Sequence, residues 1–301
     1  MVSSIIGRYL LSRKYITSEQ LYSLLLEKRK IHVRLGLIAV AEGLMTQAQA
    51  DEVYNYQSRV DKRFGELAVD KGYLTEWEVE SLLEKQGNAY LAFAQALSSQ
   101  NVMPFEQLEL YMEEFQSEYH LTLPDMEDLK SNEVDRILPI CIPMVDNQYL
   151  HIAGIALRTL VRFVDGELCP KTAYFSGRLE AESGAVVQMD GEQCVSCGIV
   201  GKAEAFGLLA RILGGEGQAQ EDDGALKATG ELVSCIAGIY VKSLGQSGVS
   251  LEQGPVRCFG EMSTVTAEKI LVLPIHVMGE EIRLLIAPGS GMEILTPAQE
   301  H

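Results

Sequence analysis

Arginine occurs twice in this chain in one fixed setting. Arg34 is followed by Gly36, Gly43 and Gln57, and Arg63 by Gly65, Gly72 and Gln86 at the same offsets. A guanidinium can stack its plane on a purine or donate two parallel hydrogen bonds to guanine O6 and N7. A nearby glycine lets a ligand approach the backbone amides. Two matched copies of this arrangement suit a ligand carrying two guanines. Basic residues gather around both copies: Lys28, Arg29, Lys30 and Arg34 at one junction, and Arg59, Lys62 and Arg63 at the next, 7 of the 12 basic residues in 1–116.

A second candidate, Cys194-x-x-Cys197, has the spacing of a metal or redox pair. It lies in an alternating, strand-like stretch with no second pair and no histidine nearby, so two half-buried strand residues are the simpler reading. All six cysteines lie beyond residue 140 at irregular spacing, which predicts free thiols and no metal site.

The elements that must position the arginines form a repeat. Aligning Ile5-Ile6-Gly7, Arg34-Leu35-Gly36, Arg63-Phe64-Gly65 and Ala92-Phe93-Ala94 gives unit starts at 5, 34, 63 and 92, each interval being 29 residues. The tenth positions are Lys14, Gly43, Gly72 and Asn101, mostly residue types that tolerate the left-handed backbone ending a helix. Three positions later stand Thr17, Thr46, Thr75 and Pro104, followed by Gln20, Gln49, Glu78 and Gln107, and Thr-x-x-Gln/Glu is a capping box. Each unit therefore reads as a short helix, a turn and a longer helix whose apolar stripe includes residues such as Leu21, Leu24 and Leu25. One hairpin cannot cover its own apolar face, so the four must stack. Units one and four lack the arginine and end on Lys28 and Phe115 where the middle units have Gln57 and Gln86. The fold signals belong to four units and the chemistry to two.

Beyond the repeat the pattern changes. Residues 117–138 are charged, contain Pro124 and show no sustained period, which predicts a partly ordered linker. A helix is expected at 148–164. Short β-branched runs follow at 172–177, 185–189, 193–200, 256–262, 270–277 and 282–287, with hairpin signals at Asp190-Gly191 and Gly279-Glu280 and helices at 203–213 and 224–244. The expected fold class is two domains: an all-α helical-hairpin repeat array at 1–116, then an α+β domain at 139–295.

The formal charge of -17 disfavours nucleic acid polymers and anionic membranes as partners. It is carried unevenly: residues 1–116 hold 12 Lys+Arg against 16 Asp+Glu, and 117–301 hold 13 against 26. No apolar run is long enough to span a bilayer and the first residues lack a signal-peptide plan, so a cytoplasmic location is expected.

Units two and three resemble the tandem motif of the MshEN family, the N-terminal domain of type II secretion and MSHA pilus ATPases, which binds cyclic di-GMP. The motif runs through Arg34, Leu35, Gly36, Ala39, Gly43, Ala50, Tyr54 and Gln57, and again through Arg63, Phe64, Gly65, Ala68, Gly72, Val79, Leu83 and Gln86, with a spacer at 58–62 of the family's length. Ala39, Ala50 and Ala68 are smaller than the family's leucine, and Tyr54 is larger. The resemblance implies cyclic di-GMP as ligand, with no other cofactor, bound by Arg34, Leu35, Gly36, Gly43, Gln57, Arg63, Phe64, Gly65, Gly72 and Gln86.

The second half is similar to the CheC/CheX/FliY family of chemotaxis phosphatases, on the strength of Gly230-Glu-Leu-Val-Ser-Cys-Ile-Ala-Gly238 in the long helix and the order of elements around it. In that family a Glu-x-x-Asn pair on this helix enters the site of a phosphorylated response regulator, where the Asn amide orients the attacking water. The resemblance implies a CheY-like receiver domain as partner, a homodimer by edge pairing, and catalytic roles for Glu231 and for Ser234, which replaces the Asn. Spacing i, i+3 puts the two on one helical face. A hydroxyl is shorter than an amide and cannot hold a donor and an acceptor in one plane. Lys227, at i−4 from Glu231, is at ion-pair spacing, the plainer role for both charges. The sequence thus favours a signalling adaptor that binds cyclic di-GMP and docks on a response regulator. An active aspartyl-phosphate phosphatase is the alternative, and a ligand-free docking platform for pilus or secretion machinery is the third reading.

Overall fold

A computed structural model describes residues 1–143, 145–214, 224–289 and 291–296. They divide into two compact units, one of Val2–Asn132 and one that begins at Glu133.

The first unit is helical throughout: α1 Val2–Ser12, α2 Ser18–Glu27, α3 Leu35–Ala41, α4 Gln47–Gln57, α5 Phe64–Asp70, α6 Glu76–Glu84, α7 Ala89–Ser99, α8 Phe105–Glu118 and α9 Leu123–Ser131. The 29-residue period is written into its backbone. Lys14, Gly43, Gly72 and Asn101 all have positive φ, at 62°, 69°, 71° and 54°. At each, the amide of that residue returns to a carbonyl three residues back and the next amide to one five residues back, as in Gly43 N to Val40 O at 3.0 Å and Leu44 N to Ala39 O at 2.9 Å. This is the Schellman ending, which satisfies carbonyls that the helix itself leaves open. Thr17, Thr46 and Thr75 then open α2, α4 and α6 with reciprocal capping boxes to Gln20, Gln49 and Glu78, whereas Pro104 opens α8 with no side-chain cap.

The units do not simply stack in order. Helix α7, the first of unit four, packs against α1, α2, α3, α8 and α9. It is apolar on nearly all sides, with Tyr90, Leu91, Phe93, Ala94, Ala96 and Leu97 buried, as a helix enclosed by neighbours must be.

The linker expected at 117–138 is a correction. Those residues hold the end of α8, all of α9 and the start of α10 (Val134–Cys141), and α9 belongs to the first unit. Helix α9 starts on a Thr122–Asp125 capping box with Pro124 in its first turn, where proline's missing N–H costs no helical hydrogen bond. It buries Met126 and Leu129 and ends on Asn132 at φ 61°. Two apolar anchors in nine residues are too few to show a period in the sequence.

In the second unit α10 is followed by α11 (Asn147–Phe163), β1 (Cys169–Pro170), β2 (Tyr174–Ala181), β3 (Ser183–Gly191), β4 (Val195–Gly201), α12 (Ala203–Gly214), α13 (Gly224–Gln246), β5 (Leu251–Gln253), β6 (Arg257–Phe259), β7 (Ser263–Val277), β8 (Glu280–Pro288) and β9 (Glu293–Leu295). The connection expected between the two helices falls at 215–223, outside the described residues. Among the described residues, nine strands make one antiparallel sheet of order β1-β7-β8-β4-β3-β5, with β2 and β9 also on β7 and β6 also on β3.

The hairpin signalled at Gly279-Glu280 is real but shifted by one residue. Val277 pairs with Glu280, and Met278 and Gly279 form the two-residue turn, both at positive φ as a type I′ turn requires. The run expected at 256–262 gives only the three residues of β6, and β7 begins seven residues before its expected start. A bulge between Ser176 and Arg178 lets β2 follow β7 past that early segment.

Alternation along the strands fills two layers. Val186, Val200, Val272, Leu285, Ala287, Leu179 and Phe259 form one buried cluster, which joins β2 and β6 from opposite ends of the strand order and so records a curled sheet. Side chains of the other parity lie beneath α11, α12 and α13, with α13 packed on β3, β4, β5 and β6.

Candidate functional site

Arg34 and Arg63 occupy equivalent places, each the residue before a seven-residue helix and each exposed. The Arg34 guanidinium lies over the Tyr54 ring, 5.6 Å from its centroid. Arg34 also lines a cavity of about 480 Å³, together with Asp51 and Tyr54 of unit two and Gln95, Asn101, Phe105 and Glu106 of unit four. Arg63, Gln57 and Gln86 do not line it. The cavity thus joins one arginine site to unit four, a pairing the motif did not suggest.

The other motif residues have structural partners. Leu35 and Phe64 are buried, and Phe64 packs on Tyr54 with ring centroids 4.6 Å apart. A Cβ on Gly36 would meet Tyr54 and Phe64 at 2.7–2.9 Å, and one on Gly65 would meet Val79 at 2.7 Å. The Gly36 amide donates to the Tyr54 hydroxyl at 3.0 Å. Burial raises the pKa of that phenol, an effect the Gly36 hydrogen bond partly offsets. The expectation that these glycines open the backbone to a ligand is therefore corrected at Gly36: its amide is already taken, and the glycine is needed so that a short helix can lie close to its neighbours. Gly43 and Gly72 sit in open space and supply left-handed backbone. The Gln57 amide donates to Lys62 O at 3.1 Å and Gln86 to Val33 O at 3.3 Å, so Gln86 ties unit three back to the last residue of unit one, directly before Arg34.

In the second unit, α13 buries Leu232, Val233, Ile236, Ala237 and Tyr240 against the sheet and turns Lys227, Glu231, Cys235, Gly238 and Ile239 to solvent. Glu231 is exposed, with no hydrogen bond or ion pair among the described residues, and the Lys227–Glu231 pair anticipated from spacing does not form. An exposed pair of this kind gains only about 0.5 kcal/mol, too little to hold two long side chains together.

Ser234 is half-buried at the edge of the same face. Its hydroxyl accepts a hydrogen bond of 2.9 Å from Nε2 of Gln253, the last residue of β5. Gln253 is placed there by the pairing of β5 with β3, where Met189 stands opposite Gln253. Nothing in the sequence singles Gln253 out, since β5 has three residues and its register depends on β3.

The Cys194-x-x-Cys197 pair resolves into two different environments. Cys197 is buried in the middle of β4, where desolvation pushes its thiol up to about 12, and Cys194 precedes the strand, half-buried. All six cysteines are free thiols. No grouping of three metal-binding side chains occurs among the described residues, and no helix among them is long and apolar enough to cross a membrane.

No family model matches the sequence, and no curated protein matches it. Solved structures do resemble it over the C-terminal region. The chemotaxis protein CheX from Desulfovibrio desulfuricans is 14% identical with a TM-score of 0.43, the match covering 48% of this chain and 99% of that one. A CheC-like superfamily protein from a Shewanella species is 15% identical with a TM-score of 0.43, over the same shares of the two chains. The CheX–CheY complex from Borrelia burgdorferi gives 18% identity and a TM-score of 0.39, again over 48% and 99%.

Proposed function

We propose that this protein is a signalling adaptor: its helical repeats bind cyclic di-GMP, and the exposed face of α13 docks on the receiver domain of a response regulator. The observation that carries the ligand half is Arg34, which has no ion-pair partner among the described residues and lies on the Tyr54 ring beside the cavity of about 480 Å³. One guanine enters beside Arg34, where the guanidinium offers its face or its paired donors, and the second meets Arg63 at the equivalent exposed position. A net charge of -17 makes this local display of cations necessary for a dianion to be held at all.

Calorimetric titration of the full chain with cyclic di-GMP tests this. Binding is expected, and Arg34→Ala combined with Arg63→Ala should abolish it while stability stays within about 0.5 kcal/mol, as for exposed side chains outside any network. No heat at hundred-micromolar ligand, or undiminished heat in the double variant, would refute the nucleotide reading.

A second reading, hydrolysis of the regulator's aspartyl phosphate, is favoured by the state of Glu231. A carboxylate with no counter-ion among the described residues, on an exposed helix face one turn from Ser234, can reach a cation in a partner's site. Phosphate release from a phosphorylated CheY-type receiver domain, measured with and without the protein, decides between docking alone and docking with hydrolysis.

A further inference from the structure

We infer that Gln253 holds the attacking water in that hydrolysis, so that the carboxamide missing from position 234 of the helix is supplied from the sheet. This inference rests on the second reading above. Water attacking a phosphoryl group must be held by a group that accepts one of its protons and fixes its direction, and a planar carboxamide has an acceptor and a donor in one rigid frame. Ser234 alone cannot provide that frame. Its hydroxyl instead accepts from one Nε2 hydrogen of Gln253 at 2.9 Å, which leaves the other Nε2 hydrogen and Oε1 without partners among the described residues.

The surroundings keep the amide in place. Gly238, one helical turn beyond Ser234, has no side chain, and a Cβ there would lie 3.5 Å from Gln253 Oε1. Gly238 is itself exposed, so Oε1 lies against a part of the helix that reaches solvent, on the face that also carries Glu231. Gln253 is half-buried, and its backbone is fixed by pairing with Met189 of β3. Glu231, Ser234 and Gln253 thus share one edge of α13: a free carboxylate, a clamp and a clamped carboxamide.

In the step itself, the water oxygen forms a bond to phosphorus, and the bond from phosphorus to the aspartyl oxygen breaks with its electron pair passing to the regulator's carboxylate. One water proton passes to the departing phosphate, giving inorganic phosphate and a free aspartate. Glu231 anchors the partner, Gln253 touches the reacting water, and Ser234 acts through Gln253 as a positioning residue.

The test is phosphate release from a CheY-type receiver domain phosphorylated on aspartate, with full-length protein. Wild type should raise release above the receiver's own rate, and Gln253→Ala should remove about 100-fold of that acceleration with the melting curve unchanged. Ser234→Ala should lower kcat with KM unchanged, and Ser234→Thr, which keeps the hydroxyl, should restore it. Ser234→Asn placed in the Gln253→Ala background should recover activity, because it returns a carboxamide to the same edge. Acceleration that is lost in Glu231→Ala but intact in Gln253→Ala overturns this inference and leaves the hydrolysis reading standing. A wild-type protein that gives no acceleration overturns both.

Discussion

Lys14 has φ 62°, a left-handed conformation its Cβ resists, while Gly43 and Gly72 take the same place in their units without that penalty. Lys14→Gly should therefore stabilise the first unit by about 0.5–1 kcal/mol, read as a higher melting temperature. A neutral or destabilising result would mean that the Lys14 side chain contributes more than its backbone strain costs. This position was legible in the sequence because the requirement is local: a residue type that accepts positive φ, at a fixed distance from a capping threonine. Gly36 shows where such reading stops. Its type and spacing suggested an opening for a ligand, but its reason lies across the hairpin, in the Tyr54 and Phe64 rings that leave no room for a Cβ. Gln253 lies further out of reach, because its contact with Ser234 needs both the β3–β5 register and the placement of α13 on the sheet.

Among elements, those announced by capping chemistry were found where expected, and those held only by tertiary pairing were not. Thr17, Thr46 and Thr75 open their helices with boxes that can be read directly, and the long helices α11 and α13 start and end within a few residues of their expected limits. Strands β1, β5 and β9, of two or three residues each, have no pattern of their own and exist because β7 and β3 offer an edge. Helix α9 is an intermediate case: its Thr122–Asp125 box was present in the sequence, but Pro124 reads as a breaker unless it is placed in the first turn. The capping account makes a comparison possible within one protein. Thr46→Ala should cost about 1 kcal/mol, whereas Pro104→Ala, which removes no side-chain cap, should cost much less in the same chemical denaturation experiment. Equal losses at the two positions would show that the boxes do not hold these helix starts.

For the molecule as a whole, the division falls after Asn132, sixteen residues beyond the last repeat. The Asn132 side chain accepts from the Val2 amide at 2.8 Å, and α9 packs on α1 and α7, so the end of the first unit closes on its beginning. A fragment of residues 1–132 should melt cooperatively and above a fragment of 1–116, which exposes the sites that Met126 and Leu129 fill at about 2 kcal/mol or more per side chain. Coincident melting curves would place α9 outside the cooperative unit. The left-handed residues carry a different consequence. A stretch of 29 residues cut from one of them to the next begins and ends on backbone of the same conformation, so a gene can gain or lose such a stretch without leaving a mismatched joint. Unit four, whose α7 touches five other helices, is closed to that exchange, but copies of the middle units are not. The number of arginine-bearing hairpins is therefore a quantity that recombination can change while the rest of the array keeps its form.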